Sequence, residues 1–66
     1  MIVRLNGAVV TLPDGATVVA LLESSGWQPV RVAVELNGRV LPRTEYHRVV
    51  LAEGDAVEVV QFVGGG

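Results

Sequence analysis

Two Asn-Gly dipeptides constrain this chain more than any other feature. Asn6-Gly7 and Asn37-Gly38 each separate two short runs that are rich in aliphatic and β-branched residues. Both positions of such a dipeptide accept a positive φ, which the tightest two-residue turns require. Each dipeptide therefore predicts a β-hairpin. The predicted strands of the two hairpins are residues 2–5, 8–12, 30–36 and 39–41.

The segment between the two hairpins repeats with the period of a helix. Val18, Leu21 and Leu22 follow one another at i, i+3 and i+4 spacing and form one apolar stripe. Thr17 suits the N-cap of this helix, and Gly26 suits the left-handed position that follows a helix end. A helix of roughly nine residues is marginal by itself in water, so its apolar stripe must pack against the sheet.

The last predicted strand spans residues 56–63, and Glu58 fixes which of its side chains face solvent. Because successive side chains of a strand alternate, Val57 and Val59 face the core, whereas Val60 and Phe62 share the outer face with Glu58. The element order β-β-α-β-β-β describes an α+β roll in which one helix covers one face of the sheet. The other face of the sheet stays open.

The chain is predicted to form a single domain over residues 1–63, followed by a flexible tail of Gly64, Gly65 and Gly66. Glycine has no Cβ, so such a tail adopts almost any backbone conformation and fits a narrow channel. We expect Gly64 and Gly65 to thread into the site of a partner, where the α-carboxylate of Gly66 becomes accessible. The triplet alone also allows a frayed end without a role.

An apolar pair on the open face predicts where that partner docks. Val60 and Phe62 lie on the solvent side by parity with Glu58, and exposed apolar residues beside a functional tail are typical of an interface. Val63 and Glu35 complete the predicted docking surface together with Glu58. The alternative is that Phe62 folds over the edge of the sheet.

The composition excludes several other classes of protein. With no cysteine and one histidine, the chain lacks disulfides, thiolate metal sites and a nucleophile–base pair, so we expect no catalytic and no metal-binding residues. A net charge of −2 is a poor match for nucleic acid.

Neither a signal peptide nor a run of ~18 apolar residues is visible, so we expect a cytoplasmic protein without a membrane partner. We expect His47 to lie at the surface and Trp27 to cover part of the core.

Three blocks of the sequence together resemble a known family. They are residues 33–38 with Val40 and Pro42-Arg43, then Tyr46 with Gly54-Asp55, Val57-Glu58 and Val60, and finally residues 62–66. Over essentially the whole chain, these blocks resemble the ThiS family of ubiquitin-like sulfur carrier proteins of thiamine biosynthesis. The resemblance implies a ubiquitin-like β-grasp fold, with a mixed sheet and one packed helix.

The resemblance also implies a carrier rather than an enzyme. An E1-like adenylating enzyme of the ThiF type would use ATP and Mg²⁺ to adenylate the Gly66 carboxylate, and the carrier itself would bind no cofactor. Sulfur from a cysteine desulfurase or a rhodanese-type donor would then convert the adenylate to a thiocarboxylate. A thiazole synthase of the ThiG type would take this sulfur for the thiazole ring of thiamine.

Other functions share these features. The small subunit of molybdopterin synthase and other ubiquitin-like sulfur carriers use the same terminal chemistry, whereas a ubiquitin-like modifier forms an isopeptide bond with another protein. A β-grasp adaptor with an inert tail is a third class. The chain has no lysine, which removes amines that would attack an acyl-adenylate, although codon usage explains the same absence.

Overall fold

The structure is a computed structural model that describes residues 1–62. Its elements are β1 (Ile2–Leu5), β2 (Ala8–Thr11), α1 (Val18–Ser24), β3 (Val32–Leu36), β4 (Arg39–Leu41) and β5 (Ala56–Gln61). Short 3₁₀ helices, Pro29–Arg31 and Arg43–Glu45, precede β3 and follow β4. The predicted element order is confirmed. The predicted glycine tail, and the boundary before it, lie outside the described residues.

The five strands form one mixed sheet in the order β2-β1-β5-β3-β4. β5 lies in the centre, parallel to β1 and antiparallel to β3. Each hairpin supplies one flank of the sheet. This arrangement confirms the predicted α+β fold with one packed helix, and it means that neither hairpin completes the sheet without β5.

The two Asn-Gly dipeptides form the hairpin turns, as predicted. The φ angle is 50° at Asn6 and 52° at Asn37, and it is 83° at Gly7 and 84° at Gly38. Positive φ at both central residues gives the turn the twist that matches two paired strands. These turns therefore set the register of both hairpins.

Helix α1 covers one face of the sheet with the predicted stripe. The Thr17 side chain accepts a hydrogen bond from the Ala20 N–H at 3.1 Å, which confirms Thr17 as the N-cap. Gly26 follows the C-cap with a φ of 85°, also as predicted. The buried stripe packs in one cluster with inward-facing strand residues. Stripe and strands together contribute Val18, Leu21, Leu22, Val3, Val32, Val34, Val57 and Val59.

The strand predicted at residues 30–36 is shorter than expected. It begins at Val32, because Pro29 opens a 3₁₀ helix and its ring fixes φ in the helical range. Val30 is consequently 66% exposed. The second strand is also one residue shorter than predicted, since it ends at Thr11.

The strand predicted at residues 56–63 ends at Gln61. Its partner β3 begins only after the 3₁₀ helix, so the ladder between the two strands stops there. Phe62 still donates its N–H to the Arg31 carbonyl at 2.9 Å, although Phe62 lies outside β5. The regular strand therefore ends at Gln61, and one further hydrogen bond joins Phe62 to the residue before β3.

The burial of three aromatic residues can be compared with the sequence-based expectations. Trp27 is half-buried against the core and His47 is exposed, both as predicted. Tyr46, to which the sequence pattern assigned no place in the core, is only 3% exposed. Within the described residues, no helix is long and apolar enough to cross a membrane.

Candidate docking face

The sheet face opposite α1 carries the predicted docking residues. The register places Val60 and Glu58 of β5 beside Ala33 and Glu35 of β3, and Val40 of β4 lies beside Glu35. Val60 is 65% exposed and Val40 is 77% exposed. The alternate valines of β5 are buried, so the predicted orientation of this strand is confirmed. Its role in docking stays a prediction.

An apolar row crosses this face where the chain leaves β5. Val60 lies directly opposite Ala33, and Phe62 follows two residues later. The guanidinium carbon of Arg43 lies 5.8 Å from the centre of the Phe62 ring, within the range of a cation–π contact. Phe62 nevertheless remains 48% exposed. Arg43 thus contacts the ring, and about half of the Phe62 surface stays open to solvent.

The next row of this face places two like charges together. Glu58 lies directly opposite Glu35, and both side chains are exposed. Neither of them forms a salt bridge with any residue between 1 and 62. Like charges directly opposite on adjacent strands destabilise a sheet. The pair therefore costs the free domain some stability, and a basic side chain on a partner would relieve this repulsion.

Asparagine side chains from both turns hold β5 in place. The Val59 N–H donates to Oδ1 of Asn6 at 2.7 Å, and Nδ2 of Asn6 donates to the Val59 carbonyl at 3.3 Å. The Ala56 N–H donates to Oδ1 of Asn37 at 2.9 Å. Each turn asparagine thus extends the hydrogen bonding of its strand by one position. Hydrogen bonds from Asn6 on one side and Asn37 on the other therefore hold β5, which carries Glu58 and Val60 of the docking face.

A pocket of about 220 Å³ opens beside the last residues of β5. It is lined by Gly26, Trp27, Gln28, Arg31 and Gln61. The side chains contribute two amides, a guanidinium group and an indole, so the pocket suits a polar group. In the described part of the chain, no group of three or more His, Asp or Glu side chains is placed to hold a metal ion.

Four predicted site residues lie outside the described residues. They are Val63, Gly64, Gly65 and Gly66. Their roles in docking, threading and sulfur chemistry stay predictions. Phe62, the described residue that precedes them in the sequence, lies at the end of the apolar row.

Comparisons with known proteins agree with this fold. The model of the ThiS family matches residues 3–66. The sulfur carrier protein ThiS of Bacillus subtilis is 39% identical over 64 residues, which cover 96% of this chain and 97% of that protein. The crystal structure of the thiamine biosynthesis protein ThiS from Geobacter metallireducens matches with a TM-score of 0.82 and 38% identity, and the match covers 100% of both chains.

Two longer relatives contain a segment similar to this chain. The thiazole synthase of Magnetococcus marinus is 46% identical over 66 residues, and that of Paramagnetospirillum magneticum is 39% identical over 62 residues. These matches cover 100% and 94% of this chain, which spans about a fifth of the length of either relative. The family match over nearly the whole sequence, a carrier of similar length and a solved structure agree: the chain belongs to the ThiS family of sulfur carrier proteins.

Proposed function

We propose that this chain carries sulfur for thiamine biosynthesis as a thiocarboxylate on Gly66. The α-carboxylate attacks the α-phosphorus of an ATP that an E1-like enzyme of the ThiF type holds with Mg²⁺, and pyrophosphate leaves. A donor persulfide, formed from cysteine by a desulfurase or held by a rhodanese-type protein, attacks the acyl carbon through its outer sulfur and displaces AMP, which leaves an acyl disulfide. A thiol then attacks the donor-side sulfur of this disulfide, so that a new disulfide forms and the thiocarboxylate on Gly66 is released. A thiazole synthase of the ThiG type accepts the sulfur.

One observation carries this proposal: the family match extends to residue 66 and therefore includes the glycine tail. A free carboxylate is a poor electrophile, and adenylation gives it a good leaving group. The carrier must then supply only an unhindered terminal carbonyl, and glycine, which has no Cβ, meets this need. In the sequence the tail begins two residues after Phe62, which ends the exposed apolar row.

The two thiazole synthases support the choice of sulfur acceptor. Each contains a segment similar to this chain within its own sequence. Joining two modules in one chain raises the effective concentration of one at the other, which favours the encounter without any new contact. Where a carrier and a thiazole synthase are separate chains, a docking face would have to supply the same proximity. The similarity of this chain to segments of two thiazole synthases therefore favours thiazole formation over molybdopterin synthesis.

We propose that Val60, Phe62, Val63, Glu58 and Glu35 form the surface that both enzymes contact. The apolar pair Val60 and Phe62 would be buried against an apolar patch on the enzyme, which is the usual core of an interface. The unpaired carboxylates of Glu35 and Glu58 would meet a basic side chain at its rim. Complementary charge of this kind speeds association and selects partners.

The test is an intact-mass measurement on the purified chain after incubation with a ThiF-type enzyme, ATP, Mg²⁺ and a sulfur donor. Replacement of one oxygen by sulfur supports the proposal, and later addition of thiazole synthase together with its other substrates should reverse the change. A variant without Gly65 and Gly66 is the matched control and should keep its mass. A wild-type chain that stays unmodified overturns the proposal, and a covalent adduct with another protein identifies a modifier instead.

A further inference from the structure

The backbone polar groups of β5 point alternately to its two neighbouring strands. The Asn37 N–H donates to the Ala56 carbonyl at 2.8 Å, and the Phe62 N–H donates to the Arg31 carbonyl at 2.9 Å. The backbone N–H and C=O groups of the even-numbered residues of β5 therefore point toward β3. Because the polar groups of a strand alternate between its two edges, the odd-numbered residues face β1.

On the β1 side, hydrogen bonding continues as far as Val59 and then stops. The Asn6 N–H donates to the Val57 carbonyl at 2.9 Å, and the Asn6 side chain binds both backbone polar groups of Val59. The next residue on this side is Gln61. Its N–H and carbonyl have no hydrogen-bond partner among residues 1–62.

The cause of this gap is the early end of β1. The Asn6-Gly7 turn takes the first hairpin away from β5. The amide of Asn6 substitutes for one further residue of β1, but it does not reach Gln61. Gln61 is exposed, and the pairing of β1 with β5 ends at Val57, so the backbone of Gln61 lies at an open strand edge in the described part of the chain.

We propose that Gln61 pairs through its backbone with an extended segment of the adenylating enzyme. The Gln61 N–H donates to a carbonyl of that segment, and the Gln61 carbonyl accepts from one of its N–H groups. This is strand addition at a sheet edge, in which main-chain hydrogen bonds supply the affinity. The inference rests on the proposed function, because it assumes that such an enzyme receives the tail.

Position and charge identify the occupant. Gln61 lies one residue before Phe62 and three residues before the glycine tail in the sequence, so an enzyme that encloses the tail would bring its own backbone close to Gln61. The carboxylates of Glu35 and Glu58 on the adjoining face form no salt bridge among residues 1–62, and they favour a segment with basic side chains. A second copy of this chain fits less well, because an edge of one residue needs further contacts to hold two chains together, and the enzyme would supply these at the tail and the apolar row.

Amide hydrogen exchange tests the pairing directly. In the free protein the Gln61 amide should exchange faster than the Phe62 amide, which is bonded to the Arg31 carbonyl. With a saturating ThiF-type enzyme, and without ATP, the exchange rate of Gln61 should fall about tenfold or more, since a new hydrogen bond protects it. An unchanged rate at Gln61 in a complex that has formed overturns the inference.

Two variants test the same hydrogen bond by kinetics. Q61P removes the N–H that faces the open edge and leaves the bonds to β3 in place, whereas Q61A keeps the N–H and reports what the side chain contributes. We expect the KM of Q61P for adenylation to exceed that of Q61A about tenfold, with a similar kcat. Equal KM values overturn the inference. If Q61P does not fold, an ester in place of the Val60–Gln61 amide removes the same N–H.

The two proposals fail in different ways. A wild-type chain that the enzyme never adenylates overturns the proposed function, and the inference falls with it. A wild-type chain that is adenylated normally, with Q61P equal to Q61A, overturns the strand pairing alone. Protection of Gln61 only at high concentration of the chain, without any enzyme, would identify a second copy as the occupant and would also overturn the inference.

Discussion

The Tyr46 hydroxyl donates a 3.1 Å hydrogen bond to the Val32 carbonyl inside the domain. The polar groups of Val32 face β4, but β4 ends at Leu41, so this carbonyl has no strand partner. Tyr46 supplies the missing donor. The bond joins the segment after β4 to the first residue of β3.

We expect Tyr46→Phe to lower the free energy of unfolding by about 1–3 kcal/mol, because a buried carbonyl loses its donor. Urea denaturation monitored by circular dichroism measures the change. His47→Phe is the control, because it places a phenyl ring at the exposed neighbouring position. Its free energy of unfolding should stay within about 0.5 kcal/mol of wild type. Equal stabilities for wild type and Tyr46→Phe would show that the bond contributes nothing.

Asn6 has two separable roles, a positive φ and a side-chain bridge to Val59. Asn6→Gly keeps the backbone conformation and removes the bridge. We expect it to lower the free energy of unfolding by about 1–3 kcal/mol, since both polar groups of Val59 lose a partner. The Val59 amide should also exchange with solvent faster than in wild type. A Val59 amide that stays protected in this variant would contradict the bridging role.

Val60 and Val40 are both outward-facing and exposed, but only Val60 lies in the apolar row beside Phe62. Val60→Asp should raise the KM of adenylation about tenfold or more, because docking would bury an unpaired carboxylate. Val40→Asp is the matched control and should leave the KM close to the wild-type value. Similar KM values for the two variants would place the docking surface elsewhere.

Glu58 is expected to affect stability and activation in opposite directions. Glu58→Gln removes the repulsion from Glu35 and should raise the free energy of unfolding by about 0.2–1 kcal/mol. The same variant should raise the KM of adenylation, because a basic group of the enzyme loses its partner. The gain in stability should shrink as salt is added, since salt screens the repulsion in wild type. A stabilised variant with an unchanged KM would remove Glu58 from the docking surface.

The features that the sequence predicted well are those fixed by a few adjacent residues. The Asn-Gly turns, the Thr17 cap and the inward valines of β5 follow from local conformational preference or strand parity. Their structural consequences hardly depend on the rest of the chain. The orientation of Val60, and so the identity of the open face, follows from the same parity.

The features that the sequence did not predict depend on where a distant strand ends. Tyr46 is buried because β4 stops before it covers Val32, which lies 14 residues earlier in the chain. The Arg43 guanidinium contacts the Phe62 ring although the two residues lie 19 positions apart in the sequence, and no local pattern links them. The late start of β3 had a visible signal in Pro29, because proline favours the first turn of a helix over the interior of a strand.

The central position of β5 also has a consequence for synthesis of the protein on the ribosome. The middle of the sheet is made last among the described strands, and it must be inserted between β1 and β3, far earlier in the chain. Long-range pairing of this kind cannot begin until the distant segments are both available. A nascent chain that stops before residue 56 therefore has neither a finished sheet nor a tail. Every chain that has been synthesised as far as the glycines at positions 64–66 therefore already contains all five described strands of the sheet.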